Sequence, residues 1–354
     1  MAARRWRKSV AQRPTAIDLF AGAGGMTLGL KRAGFDVVGA VEVDELACTT
    51  YRANHPEVHL WQKNIRGLAA KDVLKRLKLQ PGELDLLAGC PPCQGFSSIT
   101  TLNGNRNVDD PRNDLVLEYA RFVRVLRPKG LLMENVPGLM TDALMTELCE
   151  ILNRLGYPTE GHVQVLNAAD FGVPQRRRRL VMLTASDVKV TFAKPRKKRV
   201  TVRQTINQLG AAGSSGDVLH DVPERRSAEV IARIAKIPHN GGSRGDLGPE
   251  AQLKCHRRRV VGFKDIYGRM HWDKPAPTIT GGCVNPSKGR FLHPEANRSI
   301  TLREAALLQG FPENYIFSLD RGKFAAAGLI GNALPPAFVE AHAKQFARAL
   351  ERAS

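Results

Sequence analysis

The sequence predicts an α/β fold in which a mostly parallel sheet carries helices on both faces, joined by a smaller and less regular domain. Strand and helix patterns alternate through the first half of the chain. Short apolar strands such as Leu84–Ala88 and Gly130–Met133 read as covered on both sides, as parallel strands are. After Ala185 the composition shifts to Lys, Arg, Gly and Pro, and periodicity weakens.

In chain order, Met1–Arg13 is a basic arm without an apolar core of its own. Ala16–Phe20 reads as a strand, and Met26–Ala33 as a helix that ends near Gly34. Val37–Val43 is the next strand and Glu45–Asn54 the next helix. Leu84–Ala88 and Gly130–Met133 add strands, and Leu115–Leu126 between them has helical spacing. His162–Leu166 and Arg179–Thr184 read as closing strands. The basic clusters Lys194–Arg199 and His256–Arg259 mark the second domain, expected over 186–299. From Leu302 the helical pattern returns, and Pro335–Arg352 reads as one amphipathic helix, so 300–354 is expected to rejoin 14–185.

Composition narrows the function. A chain of 354 residues with 43% hydrophobic content can bury a large core. Basic residues number 53 against 34 acidic, a net +19, which fits a polyanionic partner, nucleic acid first; a solvated basic surface is the plainer alternative. The six cysteines show no disulfide rhythm, so a reducing, cytoplasmic setting is expected. The start lacks the apolar segment of a secretory signal, and no stretch is expected to span a membrane.

Two turns carry chemistry. Gly89-Cys90-Pro91-Pro92-Cys93-Gln94-Gly95-Phe96-Ser97 follows a buried strand, so Cys93 sits where open α/β sheets place their reactive groups. Two prolines stiffen its presentation, and a thiolate is a strong nucleophile. A structural zinc reading of Cys90 and Cys93 lacks the other ligands, and a redox pair would open a helix. The second turn, Asp18-Leu19-Phe20-Ala21-Gly22-Ala23-Gly24-Gly25, joins the first strand to the first helix, and Glu42 ends the next strand. Glycines admit close approach of a ligand, and an acid at that place accepts from ribose hydroxyls; a dehydrogenase and a methyltransferase fit this pattern equally. In the run 176–179, strand alternation puts Arg177 and Arg179 on one face and Arg176 and Arg178 on the other.

With further motifs in order, the chain resembles the DNA cytosine-5 methyltransferases. Glu134-Asn135-Val136 closes a strand; Phe171-Gly172-Val173-Pro174-Gln175 leads into the arginines. Leu302–Ala306, Leu308-Gln309-Gly310-Phe311-Pro312 and Gly331-Asn332-Ala333-Leu334-Pro335 follow. The resemblance runs from about Thr15 to Ala349. It implies a Rossmann-like domain that binds S-adenosylmethionine, a target-recognition domain over 186–299, and double-stranded DNA as substrate, with a restriction endonuclease acting on the same site as a possible counterpart to a monomeric enzyme. Cys93 is implied as the nucleophile that adds to cytosine C6, and Glu134 as the acid beside N3 and the N4 amino group. Arg179 is implied to hold O2, Arg177 the active-site loop or Glu134, and Asn135 to brace the loop.

For the cofactor, the resemblance implies Phe20 against adenine, Gly22, Gly24 and Gly25 near the methionine portion, and Glu42 on the ribose. Asn64 and Ile65 stand where the family often has Asp-Ile against adenine, and Pro92, Leu115 and Asn332 match further contacts. Tyr267–Met270 and Thr278–Gly282 are implied as base readers and their supports, and 103–110 as a loop that closes over DNA around a flipped-out base. An RNA-directed branch shares these motifs, but its Cys-Phe-Thr signature is absent and Gly95 stands where it has proline. A dehydrogenase would leave Cys93, Glu134 and the arginines unused.

Overall fold

A computed structural model describes residues 13–92, 114–248, 250, 252 and 265–353. Seven strands form one sheet in the order β3-β2-β1-β4-β5-β7-β6. They are β1 (Thr15–Leu19), β2 (Asp36–Glu42), β3 (His59–Gln62), β4 (Leu86–Gly89), β5 (Gly130–Asn135), β6 (Val163–Asn167) and β7 (Arg178–Ala185). β1 to β5 pair in parallel, and β7 runs antiparallel between β5 and β6. From β1 the order spreads outward both ways, so the crevice lies beyond the carboxyl ends of β1 and β4.

Period-two alternation assigns each strand residue to a layer. Ile17, Leu19, Leu87, Leu131, Met133, Leu180 and Met182 enter one core, with helices α3 (Ala70–Leu77), α4 (Leu115–Leu126) and α5 (Ala143–Arg154) packed on it. Ala16, Leu86, Ala88, Leu132, Val181 and Leu183 enter the other, covered by α1 (Gly25–Arg32) and by Tyr51 of α2 (Glu45–Asn54). Burying one such leucine is worth about 1.5–3 kcal/mol, so both faces specify the register.

Downstream lie α6 (Val202–Ile206), α7 (Val218–Asp221), α8 (Ala228–Ala235), α9 (Leu302–Gln309), α10 (Gly322–Asn332) and α11 (Pro336–Ala353). α11 covers the second face, where Phe338, Val339, Ala343 and Phe346 join that core. The expected boundary near 299 does not separate two cores. Val202, Ile206, Met270, Trp272 and Phe291 share one apolar cluster with Leu302, Leu308, Phe311, Tyr315 and Ile330. Val188, Val190 and Phe192 likewise pack on the sheet layer, beyond the expected edge at 185. The physical reason is scarcity: what 186–299 builds apart is only a small cluster around Ile234, Ile237, Leu247, Tyr267 and Leu292.

Arg269 compensates for that small core. It is fully buried and donates to the carbonyls of Ile234, Ile237, His293, Glu295 and Ala296 at 2.8–3.1 Å and to Asn297 Oδ1 at 2.6 Å. One guanidinium thus ties together loops that apolar contacts alone would leave loose. Within Gly322–Ala353 the most apolar 18 residues reach a mean hydropathy of 1.2, enough by composition alone to cross a bilayer. Here the stretch is two helices, α10 and α11, broken at Ala333–Pro335 and packed into the protein's own cores.

α11 reaches α1 because Gly29 has no side chain. A methyl group there would lie 2.5 Å from Val339 Cβ and 2.6 Å from the Pro336 carbonyl. Gly29→Ala is therefore expected to destabilise the protein by about 1–3 kcal/mol through overpacking. Thermal melting checks this, and an unchanged Tm would contradict the docking.

Candidate active site

The turn after β1 is built from three left-handed residues, Phe20 (φ 63°), Gly22 (φ 54°) and Gly24 (φ 88°). For phenylalanine that conformation costs about 1–2 kcal/mol, so the turn needs external support. Glu42 at the end of β2 supplies part of it. Its carboxylate accepts from Gly22 N at 2.8 Å, Val43 N at 2.6 Å and Asp44 N at 2.8 Å. Gly25 lies directly beneath the Leu334 carbonyl, with no room for a side chain. The segment from Asn332 onward therefore folds back beside the first strand, and Asn332 is exposed at the end of α10.

Asp18 lies beneath this turn, fully buried. Thr27 Oγ1 donates to its Oδ2 at 2.7 Å, and the Tyr51 hydroxyl is 2.8 Å from Thr27 Oγ1. Among the described residues its Oδ1 has no partner. Burial outweighs the Thr27 hydrogen bonds and pushes the carboxyl up to about 7. A buried acid with an unused oxygen invites a cationic or donor group.

Phe20, Ile65 and Leu115 all pack on the first core, Phe20 and Leu115 half-buried at its edge. The adenine expectation at Asn64 and Ile65 is modified by their local roles. Asn64 Oδ1 caps a helical turn by accepting from Arg66 N at 3.1 Å, which leaves it one further lone pair. The Ile65 side chain is buried, and its carbonyl accepts from Arg121 at 2.6 Å.

Across the crevice, β5 delivers Glu134 and Asn135, both buried. Asn135 Nδ2 donates to the Pro91 carbonyl at 3.0 Å while its Oδ1 accepts from Val136 N at 2.8 Å. The Pro91-Pro92 turn is thereby pinned to the strand that carries Glu134. Pro92 is half-buried; Cys93 and the loop 103–110 lie outside the described residues. The Cys90 thiol is held well above its ordinary range by burial and then by Glu134, which keeps it protonated.

At the arginine run, Arg177 and the half-buried Arg179 face inward, and Arg176 and Arg178 are exposed. Arg179 Nε pairs with Glu134 Oε1 at 2.8 Å, and its Nη1 donates to the Arg178 carbonyl at 2.7 Å. The Glu134 pairing expected as one option for Arg177 thus falls to Arg179. Arg177 instead donates to the carbonyls of Ile279 at 2.9 Å and Gly331 at 3.1 Å. Burial, then Arg179, lowers its guanidinium to about 9.

Two glutamines that the sequence placed only within motifs complete this joint. Gln175 Nε2 donates to the Leu308 carbonyl at 3.0 Å and to Gln309 Oε1, and Gln175 Oε1 accepts from Ile279 N at 3.0 Å. Gln309 in turn donates to the Ala333 carbonyl. Their signal was a polar residue inside an otherwise apolar motif.

The stretches expected to hold base readers and their supports differ in exposure, with Thr278, Thr280, Gly281 and Gly282 half-buried. Arg269 and Met270 are fully buried, Tyr267 nearly so, and Ile279 lies under Gln175 and Arg177. Of the basic clusters, Lys194–Arg199 is exposed, with Arg199 paired to Asp170 at 2.7 Å; His256–Arg259 lies outside the described residues.

Comparison with known proteins agrees with this geometry. The family model of the C-5 cytosine-specific DNA methylases matches residues 15–348. The chain is 37% identical over 337 residues to Type II methyltransferase M1.HphI of Haemophilus parahaemolyticus, covering 93% of this chain and 86% of the relative. It is 34% identical over 349 residues to Type II methylase M.HgiDII of Herpetosiphon aurantiacus, covering 95% of each. Among solved structures, a DNA modification methyltransferase encoded within an E. coli prophage superposes with a TM-score of 0.70 at 27% identity, covering 96% of this chain and 99% of that one. The chain therefore belongs to the C-5 cytosine-specific DNA methylase family.

Proposed function

We propose that this protein methylates C5 of a cytosine flipped out of a short, specific duplex sequence, with S-adenosylmethionine as methyl donor and Cys93 as covalent nucleophile. The observation that carries the reading is the Glu134–Arg179 pair at the end of β5, beside a Pro91-Pro92 turn that Asn135 ties to the same strand. C5 is weakly nucleophilic. Addition of the Cys93 thiolate to C6 forms a C–S bond and makes C5 enamine-like. Glu134 faces N3 and N4 and offsets the charge that develops there, and Arg179, paired to Glu134 through Nε, holds O2. After methylation C5 loses its proton and the thiolate leaves.

The residues present fit the cofactor. Asp18 offers a buried, unpartnered oxygen to an ammonium group, and Glu42 stands at the β2 end for ribose hydroxyls. Gly22, Gly24 and Gly25 keep side chains out of the way, and Phe20, Leu115, Ile65, Asn64, Pro92 and Asn332 line the remainder. When bound, S-adenosylmethionine supplies an electrophilic methyl group. Residues 186–299 would act as the target-recognition domain, with exposed Lys197 and Lys198 giving salt-dependent phosphate contact, and 14–185 with 300–354 as the catalytic domain. Type II relatives suggest a place in a restriction-modification system, with a cytoplasmic, monomeric enzyme and its endonuclease sharing only the DNA site.

Expression in a host lacking cytosine methylation should produce 5-methylcytosine at one short sequence genome-wide, and Cys93→Ala should produce none while still binding duplex DNA. Activity retained in Cys93→Ala would sink the covalent mechanism. Methylated RNA in place of DNA would redirect the substrate.

Asp18 gives a pH prediction. Its folded pKa is raised from 3.8 to about 7, so the stability it contributes to the ligand-free protein is full below about pH 4 and is lost as pH rises toward 7. A cation paired with Asp18 favours the charged carboxyl, so binding releases its proton. S-adenosylmethionine affinity should therefore rise about fivefold from pH 6 to pH 7 and about twofold more by pH 8, then level off. Calorimetry should show that slope vanish in Asp18→Asn; the same slope in both proteins would refute the pairing.

A further inference from the structure

The glycine turn is braced from behind by a chain of hydrogen bonds that the reaction itself does not use. His55 and Tyr315 are both buried, and a side chain at Gly24 would lie 2.6 Å from His55 Nε2 and 2.7 Å from Tyr315 Oη. Lys31 Nζ, which can only donate, lies 2.8 Å from His55 Nδ1 and also pairs with Glu57. That fixes the tautomer. Nδ1 accepts, so Nε2 carries the proton and donates to Tyr315 Oη at 3.0 Å. The Tyr315 hydroxyl then donates to the Ala23 carbonyl at 2.5 Å. The relay runs in a single direction from the surface to the turn.

Its end point decides its role. Ala23 sits between Gly22 and Gly24, both left-handed, where a peptide flip meets little steric resistance. The Gly24 N–H is held by the Ala21 carbonyl at 2.9 Å, and the opposite side of the same peptide by Tyr315. With both sides tied, the peptide cannot rotate. Burial, then Lys31, lowers His55 to about 4, so the ring is neutral near pH 7, as the relay requires.

We propose that His55 and Tyr315 are positioning residues for cofactor binding, locking the Ala23–Gly24 peptide so that the turn is formed before the ligand arrives. The inference rests on the S-adenosylmethionine reading above. Tyr315 belongs to the core built by 202–333, so that core takes part in shaping the cofactor turn of the sheet domain. Preorganisation of this kind lowers the ordering cost of binding.

The test is calorimetric titration of the full-length protein with S-adenosylmethionine, beside steady-state KM values for cofactor and for duplex DNA. Tyr315→Phe removes one hydroxyl and keeps the ring, so the fold should persist. About a fivefold loss of cofactor affinity is expected, with cofactor KM raised in step and DNA KM unchanged. His55→Leu should behave likewise, and His55→Gln, which restores a donor toward Tyr315, should recover part of the loss. Wild-type affinity in both Tyr315→Phe and His55→Leu would overturn the proposal, as would parallel changes in both KM values. Failure of the wild-type protein itself to bind S-adenosylmethionine would overturn the cofactor reading, and the proposal with it.

Discussion

A buried guanidinium at the start of β7 joins the parts of the molecule that must cooperate. Arg177 spans 102 residues to the Ile279 carbonyl and 154 residues to the Gly331 carbonyl. Gln175, two positions earlier, repeats the arrangement with Ile279 and Leu308. The sheet, the segment around Ile279 and the C-terminal helices therefore meet at one polar joint. Apolar packing could hold these segments together, but it is non-directional and tolerates sliding. Fixed donors on named carbonyls set the register, and a partner lost from such a buried site leaves several groups unsatisfied, at roughly 3–5 kcal/mol.

The same joint shapes the electrostatics of the crevice. Arg179 stands close enough to Arg177 to lower its guanidinium, and Glu134 is the opposing carboxylate beside them. Two cations and one anion leave a local excess of positive charge where an electron-rich pyrimidine edge and developing negative charge would sit. Across the crevice the pattern inverts, with Asp18 and Glu42 near the turn that would meet a cationic cofactor. The two halves of the crevice are thus complementary in sign to the two reactants.

Much of this was legible in the residues. The bounds of Glu45–Asn54 and Leu115–Leu126 follow from local signals alone, the first helped by Asp44, whose side chain caps Ala47 N at 2.8 Å. The inward pair Arg177 and Arg179 followed from alternation. β3 did not show itself, because a four-residue edge strand with partly exposed His59, Leu60 and Trp61 has no clean period. Nor did the shared core of 202–333, since apolar residues in irregular segments carry no periodic signal and their partners are far away in sequence. The burial of Arg269 was hidden for a related reason. A basic residue in a basic region reads as surface, and only the fold reveals six oxygens converging on it.

The antiparallel β7 explains why Arg177 and Arg179 can lie beside the ends of parallel strands. Parallel strands present their carboxyl ends at the crevice, so β1, β4 and β5 each contribute the residues that terminate them. A strand reversed between β5 and β6 brings its beginning to that edge instead. The register places Glu134 opposite Val181 and Asn135 opposite Leu180, so Arg179 and Arg177 lie beyond the last β5 pair, with Arg179 still paired to Leu166 of β6. Their long side chains then reach back over Glu134 and outward to Ile279 and Gly331. A parallel strand there would have met the crevice with a turn and a helix start, and the polar joint would have had no rigid base.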